Sequence, residues 1–324
     1  MRGSRYGWLT AAAAAVVGAL LTTGIVVAAG PADAAGSARL LPDLRQAPVG
    51  CAPGADTHPG GCTAWDVCPV ADASNPHAAC VTSGPMSAVR LRFTSSEENI
   101  GDGPLLLYGS RDSARTATMA VRQAFQPSPG ATVPASFADA QQPLPASMYY
   151  EAAAMHTHWH LLGFDRFELR SANGSVLVTD RKNGFCLGDR YTTSDASRLA
   201  HTATADGSPQ GRLAETLKGN DCRKHNPGAL DVTEGISVGA GDNYDYTVDF
   251  QWLDITKVAS GRYTVVNTVN PDRSIVEKSY SNNSSSIAIS VQWPGGAAAA
   301  PTQITAAPVV TLLRSCPGTD RCSA

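Results

Sequence analysis

The chain has 324 residues, of which 43% are hydrophobic and 16% are charged, and its formal net charge at pH 7 is −3. The net charge is modest and the sequence contains no cluster of basic residues, so nothing indicates nucleic-acid binding. The length suits one large domain with its own core, with or without appendages.

The first 34 residues have the layout of a secretory signal peptide. Arg2 and Arg5 precede an apolar run over residues 9–29. Ala32-Asp33-Ala34 then offers small residues for cleavage. The apolar run is also about long enough to span a bilayer, so an uncleaved anchor is the alternative. We expect a secreted, extracellular protein that meets a membrane only if this segment stays attached.

Eight cysteines in an exported chain predict disulfides. Four of them lie in a segment over residues 51–80 that is rich in Gly, Pro and Ala: Cys51, Cys62, Cys68 and Cys80. Three connectivities are possible. We favour Cys51 with Cys62 and Cys68 with Cys80; a zinc knuckle fits poorly because no C-x-x-C spacing occurs.

The other four cysteines are far apart. Cys316 and Cys322 would close a small loop near the end of the chain, which leaves Cys186 to pair with Cys222.

Several stretches in the first half alternate between apolar and polar residues. Val89, Leu91 and Phe93 alternate with polar neighbours, which predicts a strand with one buried face. Residues 105–108 and 119–125 are further strand candidates. Residues 127–145 are rich in Pro, Ala, Ser and Gln, which predicts a surface loop.

Three histidines then follow at spacings of two: His156, His158 and His160. On a strand this spacing sends three imidazoles to one face, because side chains alternate with a period of 2. Three converging imidazoles suit Cu(II) or Zn(II) better than Ca²⁺ or Mg²⁺. A half-exposed strand with no ligand role is the alternative, but three of the seven histidines lie within five positions.

The next segment reads as a hairpin. Phe164, Phe167 and Leu169 suggest one strand, Asn173-Gly174 a turn, and residues 176–178 the return strand. Lys182 therefore lies just past a strand end. A single lysine is ordinarily a solvated surface cation, so only the neighbouring residues can indicate a functional role for Lys182.

The second half divides into a long irregular stretch, more strands and a tail. Residues 191–234 show no sustained apolar period and predict a functional loop. His201 and His225 lie in this loop and are expected to be surface residues. Residues 248–255, 263–269 and 287–291 predict strands, and residues 294–324 predict an Ala/Pro-rich linker and tail. Together these patterns predict an all-β, disulfide-stapled antiparallel β-sandwich with long loops, over residues 35–293.

Two segments carry a family resemblance. The sequence DRKNGFCLGD at residues 180–189 and the sequence GDNY at residues 241–244, followed by DFQWLDIT at residues 249–256, are similar to the lysine and tyrosine segments of the lysyl oxidase family. The resemblance implies that His156, His158 and His160 bind Cu(II). It further implies that Lys182 and Tyr244, eight residues before Trp252, crosslink into lysine tyrosylquinone, and that residues 35–293 form the catalytic domain.

The activity implied by this resemblance is that of a secreted copper amine oxidase. Such an enzyme uses O₂ to convert primary amines, either peptidyl lysine in a protein or small amines, to aldehydes with release of ammonia and hydrogen peroxide. Four carboxylates are possible catalytic bases, and the sequence does not rank them: Asp165, Asp189, Asp242 and Asp249. At the position where the family usually has a histidine after the triplet, this chain has Arg166.

Two other classes of function use the same residues. An extracellular zinc hydrolase would bind a water at the histidine triplet and would need neither Lys182 nor Tyr244. A noncatalytic β-sandwich that binds metal would show no turnover. A crosslinked peptide containing Lys182 and Tyr244 would exclude both classes.

Overall fold

The computed structural model of the protein describes residues 39–51, 62–153, 156–180, 182, 184–203 and 206–323. The predicted signal peptide, residues 1–34, lies outside the described residues. None of the helices in the described ranges is long and apolar enough to cross a membrane.

The described residues form strands connected by loops, with one α-helix. The strands of the first half are β1 (Leu44–Gln46), β2 (Trp65–Val70), β3 (Ala88–Phe93), β4 (Ser95–Asn99), β5 (Leu105–Ser110), β6 (Thr118–Gln123), β7 (Gln142–Glu151), β8 (His158–Leu162) and β9 (Asp165–Ser171). The elements of the second half are β10 (Val176–Thr179), β11 (Gly184–Phe185), β12 (Tyr191–Thr192), α1 (Pro209–Lys218), β13 (Asp231–Ile236), β14 (Ala240–Tyr244), β15 (Trp252–Asp254), β16 (Gly261–Val269), β17 (Ser284–Gln292) and β18 (Val309–Cys316).

These strands make four sheets. The largest has the order β11-β8-β7-β6-β5-β13, and the next has the order β10-β9-β16-β17-β18. The two smaller sheets have the orders β1-β4-β14-β12 and β15-β3-β2. All pairings between these strands are antiparallel. The prediction of an all-β, antiparallel, disulfide-stapled fold is therefore confirmed.

One hydrophobic core takes side chains from all four sheets, including Leu44, Phe93, Trp159 and Val265. Phe93 packs edge to face on Phe167 with 5.1 Å between ring centroids. Full burial of such a side chain stabilises the fold by about 1.5–3 kcal/mol. The core therefore fixes β8 and β9, the strands on either side of the short turn that follows the histidine triplet.

The hairpin expected after the histidines is present. Strands β9 and β10 pair, and the Asn173 side chain accepts hydrogen bonds from the Ser171 hydroxyl and the Ser175 N–H across the turn. Gly174 has φ 85°, the left-handed conformation that favours glycine. Lys182 follows β10 as expected.

The structure differs from the sequence pattern in three segments. Residues 191–234 are not without structure, because α1 and the start of β13 lie there. The strand expected over residues 248–255 is reduced to β15, because turns occupy residues 246–250. Residues 309–316, within the predicted linker and tail, form β18, which pairs with β17.

Candidate active site

Three histidine rings converge at the start of β8. The ring centroids lie 5.0 Å apart for His156 and His160, 5.6 Å for His156 and His158, and 4.7 Å for His158 and His160. One ligand nitrogen from each ring lies within 4.8 Å of the other two. The nitrogens are therefore close enough to bind one ion.

His156 reaches this cluster in a way that the spacing did not predict. Strand β8 begins at His158, and Thr157 before it has φ 52°, which is unusual for a β-branched residue. The Thr157 carbonyl accepts hydrogen bonds from the His225 N–H at 2.7 Å and the Tyr150 hydroxyl at 2.8 Å. The expectation that all three histidines share one strand face was wrong for His156, which a turn directs towards the other two.

The cluster favours neutral imidazoles. Burial lowers the pKa of His158 to about 4, with a further contribution from the neighbouring His156 and Lys182. Burial and the Lys182 charge also lower the pKa of His156 and of His160. Neutral imidazole is the form that binds metals, so the environment prepares all three rings as ligands.

The donor set fits a borderline transition metal. One nitrogen from each of the three rings lies within 4.8 Å of the other two, and burial favours the uncharged form of all three rings. Three imidazole nitrogens suit copper or zinc, and this donor set alone does not choose between them.

Lys182 and Tyr244 lie together although 62 residues separate them in sequence. Lys182 Nζ lies 4.7 Å from the centroid of the Tyr244 ring and 4.8 Å from that of Phe185. The Phe185 and Tyr244 rings meet edge to face at 5.0 Å. Tyr244 ends β14 and Phe185 ends β11, so two different sheets bring these residues together.

The Lys182 amine is buried, with 4% of the residue exposed. Burial lowers the pKa of Lys182 to about 8, although nearby Glu97 and Asp242 act in the opposite direction. A substantial fraction is therefore neutral near pH 8, and a neutral amine is a nucleophile.

The Tyr244 hydroxyl is held by two acceptors. It lies 2.9 Å from the Cys186 carbonyl oxygen and 3.0 Å from Asp242 Oδ2. Burial and the charge of Asp242 raise the pKa of Tyr244 well above its usual range. Burial likewise raises the pKa of Asp242 to about 7, which opposes the effect of Arg190. Tyr244 is therefore a fixed, neutral phenol beside a carboxyl group that can exchange protons near neutral pH.

The four disulfides pair as the sequence favoured: Cys51–Cys62, Cys68–Cys80, Cys186–Cys222 and Cys316–Cys322. The third connects the two halves of the site. The carbonyl of Cys186 faces the Tyr244 hydroxyl, and the carbonyl of Cys222 accepts the Trp159 N–H at 2.9 Å. The bridge therefore joins the lysine–tyrosine pair to the histidine strand.

Loss of this bridge is expected to destabilise the fold. Cys186 and Cys222 are 36 positions apart, and Cys222→Ser should lower the free energy of unfolding by about 2–4 kcal/mol, measured by urea denaturation. Cys322→Ser is the control: it opens a loop of 6 positions, for which chain entropy predicts a loss about 1.5 kcal/mol smaller. Free thiols at both Cys186 and Cys222 in nonreducing mass spectrometry would contradict the bridge.

A cavity of about 230 Å³ opens onto Lys182 and the histidine cluster. Its lining residues are Tyr149, Glu151, His156, His160, Lys182, Gly184 and Phe250. A Cβ on Gly184 would lie 2.8 Å from His160 Cβ and 2.7 Å from the Tyr149 ring, so only glycine fits beside the histidine. The cavity gives a small molecule access to metal ligands and lysine at once.

The structure separates the four possible bases. Asp242 contacts Tyr244, whereas Asp189 accepts the Ser237 N–H and Asp165 accepts the Arg166 N–H. Asp249 lies next to the histidine cluster, with its Oδ2 3.8 Å from His156 Nε2. His225 is exposed and His201 is partly buried, and neither belongs to the histidine cluster.

Sequence reasoning missed Glu97, Tyr149 and His77. Glu97 is fully buried in β4, and burial with the neighbouring Asp165 raises its pKa well above the usual range. Tyr149 lies edge to face on His160 at 5.6 Å. The Ser95-Ser96-Glu97-Glu98 run reads as surface, so the sequence contains no signal for a buried acid there.

Comparison with known proteins finds a partial similarity. A family model described as Lysyl oxidase matches residues 212–295, which include Tyr244 but neither the histidines nor Lys182. Lysyl oxidase homolog 2A of Danio rerio is 30% identical over 129 residues, which are 40% of this chain and 14% of that protein. Lysyl oxidase homolog 4 of Mus musculus is 30% identical over the same length and the same shares, and lysyl oxidase homolog 2 of Xenopus tropicalis is 30% identical over 129 residues.

The fold and site define a disulfide-stapled all-β protein with a cluster of three histidines that could hold a metal ion, beside a lysine–tyrosine pair. Part of the chain is therefore similar to the lysyl oxidase family. The match spans only 13–14% of the length of these relatives.

Proposed function

We propose that this protein is a secreted copper amine oxidase. It would catalyse the reaction of RCH₂NH₂, O₂ and H₂O to RCHO, NH₃ and H₂O₂. The observation that carries the proposal is Lys182 Nζ at 4.7 Å from the Tyr244 ring, beside three histidines whose pKa values favour the neutral form. Neither a zinc hydrolase nor a passive metal binder needs a buried lysine against a buried tyrosine.

The chain's own residues would hold two groups. His156, His158 and His160 would hold copper, and Lys182 and Tyr244 would form lysine tyrosylquinone. Together these groups supply a carbonyl that condenses with a primary amine and an acceptor for two electrons, which O₂ then removes. No standard side chain supplies that chemistry, so the lysine and tyrosine must be adjacent before they can be joined.

The protein environment prepares both residues for this coupling. Burial keeps the Lys182 pKa low enough for attack by the neutral amine. The Cys186 carbonyl and Asp242 fix the Tyr244 hydroxyl and so hold the ring with Lys182 Nζ over it, 4.7 Å from its centroid. Phe185 packs against the ring and the amine, which shields that side of the pair from water.

Asp242 is the base that we propose for removal of the substrate α-proton. It is 1% exposed, its Oδ2 lies 3.0 Å from the Tyr244 hydroxyl, and burial raises its pKa to about 7. A base with a pKa near the working pH combines a useful basic fraction with adequate strength. Arg190 Nε lies 3.5 Å from Asp242 Oδ1 and favours the ionised form.

The cavity suits a primary amine at the end of an unbranched alkyl chain. Glu151 supplies an acidic group at its wall, and Tyr149 and Phe250 supply aromatic surface. An ammonium group is attracted to the carboxylate and can lie against aromatic faces. Both peptidyl lysine and small amines present such a group. The four disulfides favour an extracellular protein, so the substrate would be encountered outside the cell.

Peptide mapping tests the proposal directly. After copper loading in air, a protease digest should contain one crosslinked peptide carrying Lys182 and Tyr244, and the intact protein should react with phenylhydrazine. Separate, unmodified Lys182 and Tyr244 peptides from fully copper-loaded protein would contradict the proposal and favour the hydrolase or the passive binder.

Formation of this crosslink should depend on pH. The neutral amine of Lys182 is the nucleophile and its pKa is about 8, so the initial rate should rise from pH 6 to pH 8 and level off above that. The rate of phenylhydrazine-reactive product at several pH values, with copper saturating at each, measures this. A rate that falls as pH rises from 6 to 8 would contradict the assigned role of Lys182.

A further inference from the structure

Asp249 is a buried carboxylate between two histidines. It is 7% exposed, its Oδ2 lies 2.7 Å from His77 Nδ1, and the same oxygen lies 3.8 Å from His156 Nε2. His156 Nε2 and Asp249 Oδ2 are both buried without a well-aligned hydrogen bond in the described ranges. Two such atoms facing each other mark a contact that becomes favourable when the ring is charged or bound to an ion.

His77 comes from the Cys-rich segment, for which the proposed function has no use. The Cys68–Cys80 disulfide closes the loop that carries it. Within that loop the Asn75 side chain accepts the His77 N–H at 2.9 Å. The buried Arg90 guanidinium donates to the carbonyls of Asn75 and Pro76 at 2.7 and 3.1 Å. The loop is therefore fixed where His77 meets Asp249.

Asp249 is fixed as firmly from its own side. It lies between β14, which carries Tyr244, and β15, and it precedes Phe250, whose φ is 63°. Phe250 stacks on Trp252 at 5.6 Å, and the Arg90 guanidinium lies 4.0 Å from the centroid of the Trp252 ring. Arg90 thus contacts both the loop that carries His77 and the aromatic pair beside Asp249.

We propose that Asp249 is a positioning residue for the metal ligand His156, and that His77 of the Cys68–Cys80 loop holds Asp249 in place. A metal-bound imidazole ordinarily donates its second ring N–H to a carboxylate or carbonyl, which fixes the ring and strengthens the ligand. Asp249 is the carboxylate next to His156 Nε2, so His156 would bind the ion through its other ring nitrogen, Nδ1. The inference rests on the proposed function only in that the histidine cluster binds copper.

The test measures Cu(II) affinity by competition with a chelator, together with the Cu(II) electron paramagnetic resonance spectrum. Asp249→Asn should weaken Cu(II) binding by about 10- to 100-fold and change the spectrum. His77→Ala should weaken Cu(II) binding by at least about twofold. Added to Asp249→Asn, the same change should have no further effect, because His77 acts through Asp249. His77→Asn keeps an N–H near the position of Nδ1 and should restore wild-type affinity and spectrum.

The controls separate this effect from unfolding and from failure of the proposed function. His201→Ala removes a histidine from another part of the surface and should leave affinity unchanged. Each variant is compared by circular dichroism and melting temperature without copper; if His77→Ala does not fold, the comparison of His77→Asn with Asp249→Asn decides. Wild-type affinity in both His77→Ala and Asp249→Asn, or equal effects of His77→Ala in both backgrounds, overturns the inference. If His158→Ala also binds copper like the wild type, the proposed function fails instead.

Discussion

His158→Ala should lose both copper and the quinone. His158 Nε2 lies 2.8 Å from His160 Nε2, so the two rings present their nitrogens to the same point. Removal of one of three ligands leaves two, which is too few to hold the ion tightly, and coupling of Lys182 to Tyr244 needs that ion and O₂. Metal analysis should find little copper, and phenylhydrazine should give no adduct.

The fold of this variant should be intact, because the His158 side chain is only partly buried and β8 is anchored by Trp159 and Leu161 in the core. His201→Ala is the matched control, and it should retain copper and the adduct. A His158→Ala protein that lacks copper and still carries the quinone, with no earlier exposure to metal, would show that the cluster does not drive cofactor formation.

The sequence predicts the strands around the site well, because local patterns determine them. Apolar alternation around Phe167 and the Asn173-Gly174 turn are sufficient to predict β9 and β10. The position of His156 depends instead on a turn, and that turn is held by hydrogen bonds from Tyr150 and His225 to the Thr157 carbonyl. Contacts between residues distant in sequence leave no local pattern. Alternation with a period of 2 therefore predicts a strand that includes His156, although β8 begins only at His158.

Missed elements have different causes. Helix α1 has local signals: the Ser208 hydroxyl accepts the Gly211 N–H, and Pro209 occupies its first turn. Little of the helix is buried, so its residues are mostly polar and show no apolar period that would predict a helix. Strand β18 has the apolar residues of a strand, but the Ala/Pro-rich stretch before it suggested a tail.

The adjacency of Lys182 and Tyr244 could not be predicted from pattern alone. It depends on how β11 and β14, in different sheets, meet at Cys186, whose carbonyl faces the Tyr244 hydroxyl. Only the family resemblance pointed to the pair from sequence. The contact between His77 and Asp249 has neither a pattern nor a resemblance behind it, so only the structure reveals it.

Replacement of either member of the pair should abolish amine-dependent peroxide release. Tyr244→Phe removes the hydroxyl that formation of the proposed quinone needs, and Lys182→Arg keeps a cation but loses the amine that can become a neutral nucleophile. Both variants keep the three histidines and should bind copper. Tyr244→Phe also loses the hydrogen bond to Cys186 or Asp242, which costs about 1 kcal/mol and should leave the protein folded. Oxygen uptake and peroxide with a primary amine as substrate measure the loss.

Tyr246, two residues further on, is the matched control. Its backbone N–H donates to Thr94 Oγ1, and its ring lies 5.6 Å from the Arg92 guanidinium, whereas Lys182 lies over the ring of Tyr244. Tyr246→Phe should therefore retain the crosslinked peptide, the phenylhydrazine adduct and peroxide release. If Tyr246→Phe abolishes peroxide release and Tyr244→Phe does not, the cofactor tyrosine is Tyr246. In that case the spacing of eight residues before Trp252 does not identify it, and the contact between Lys182 and Tyr244 has no catalytic meaning.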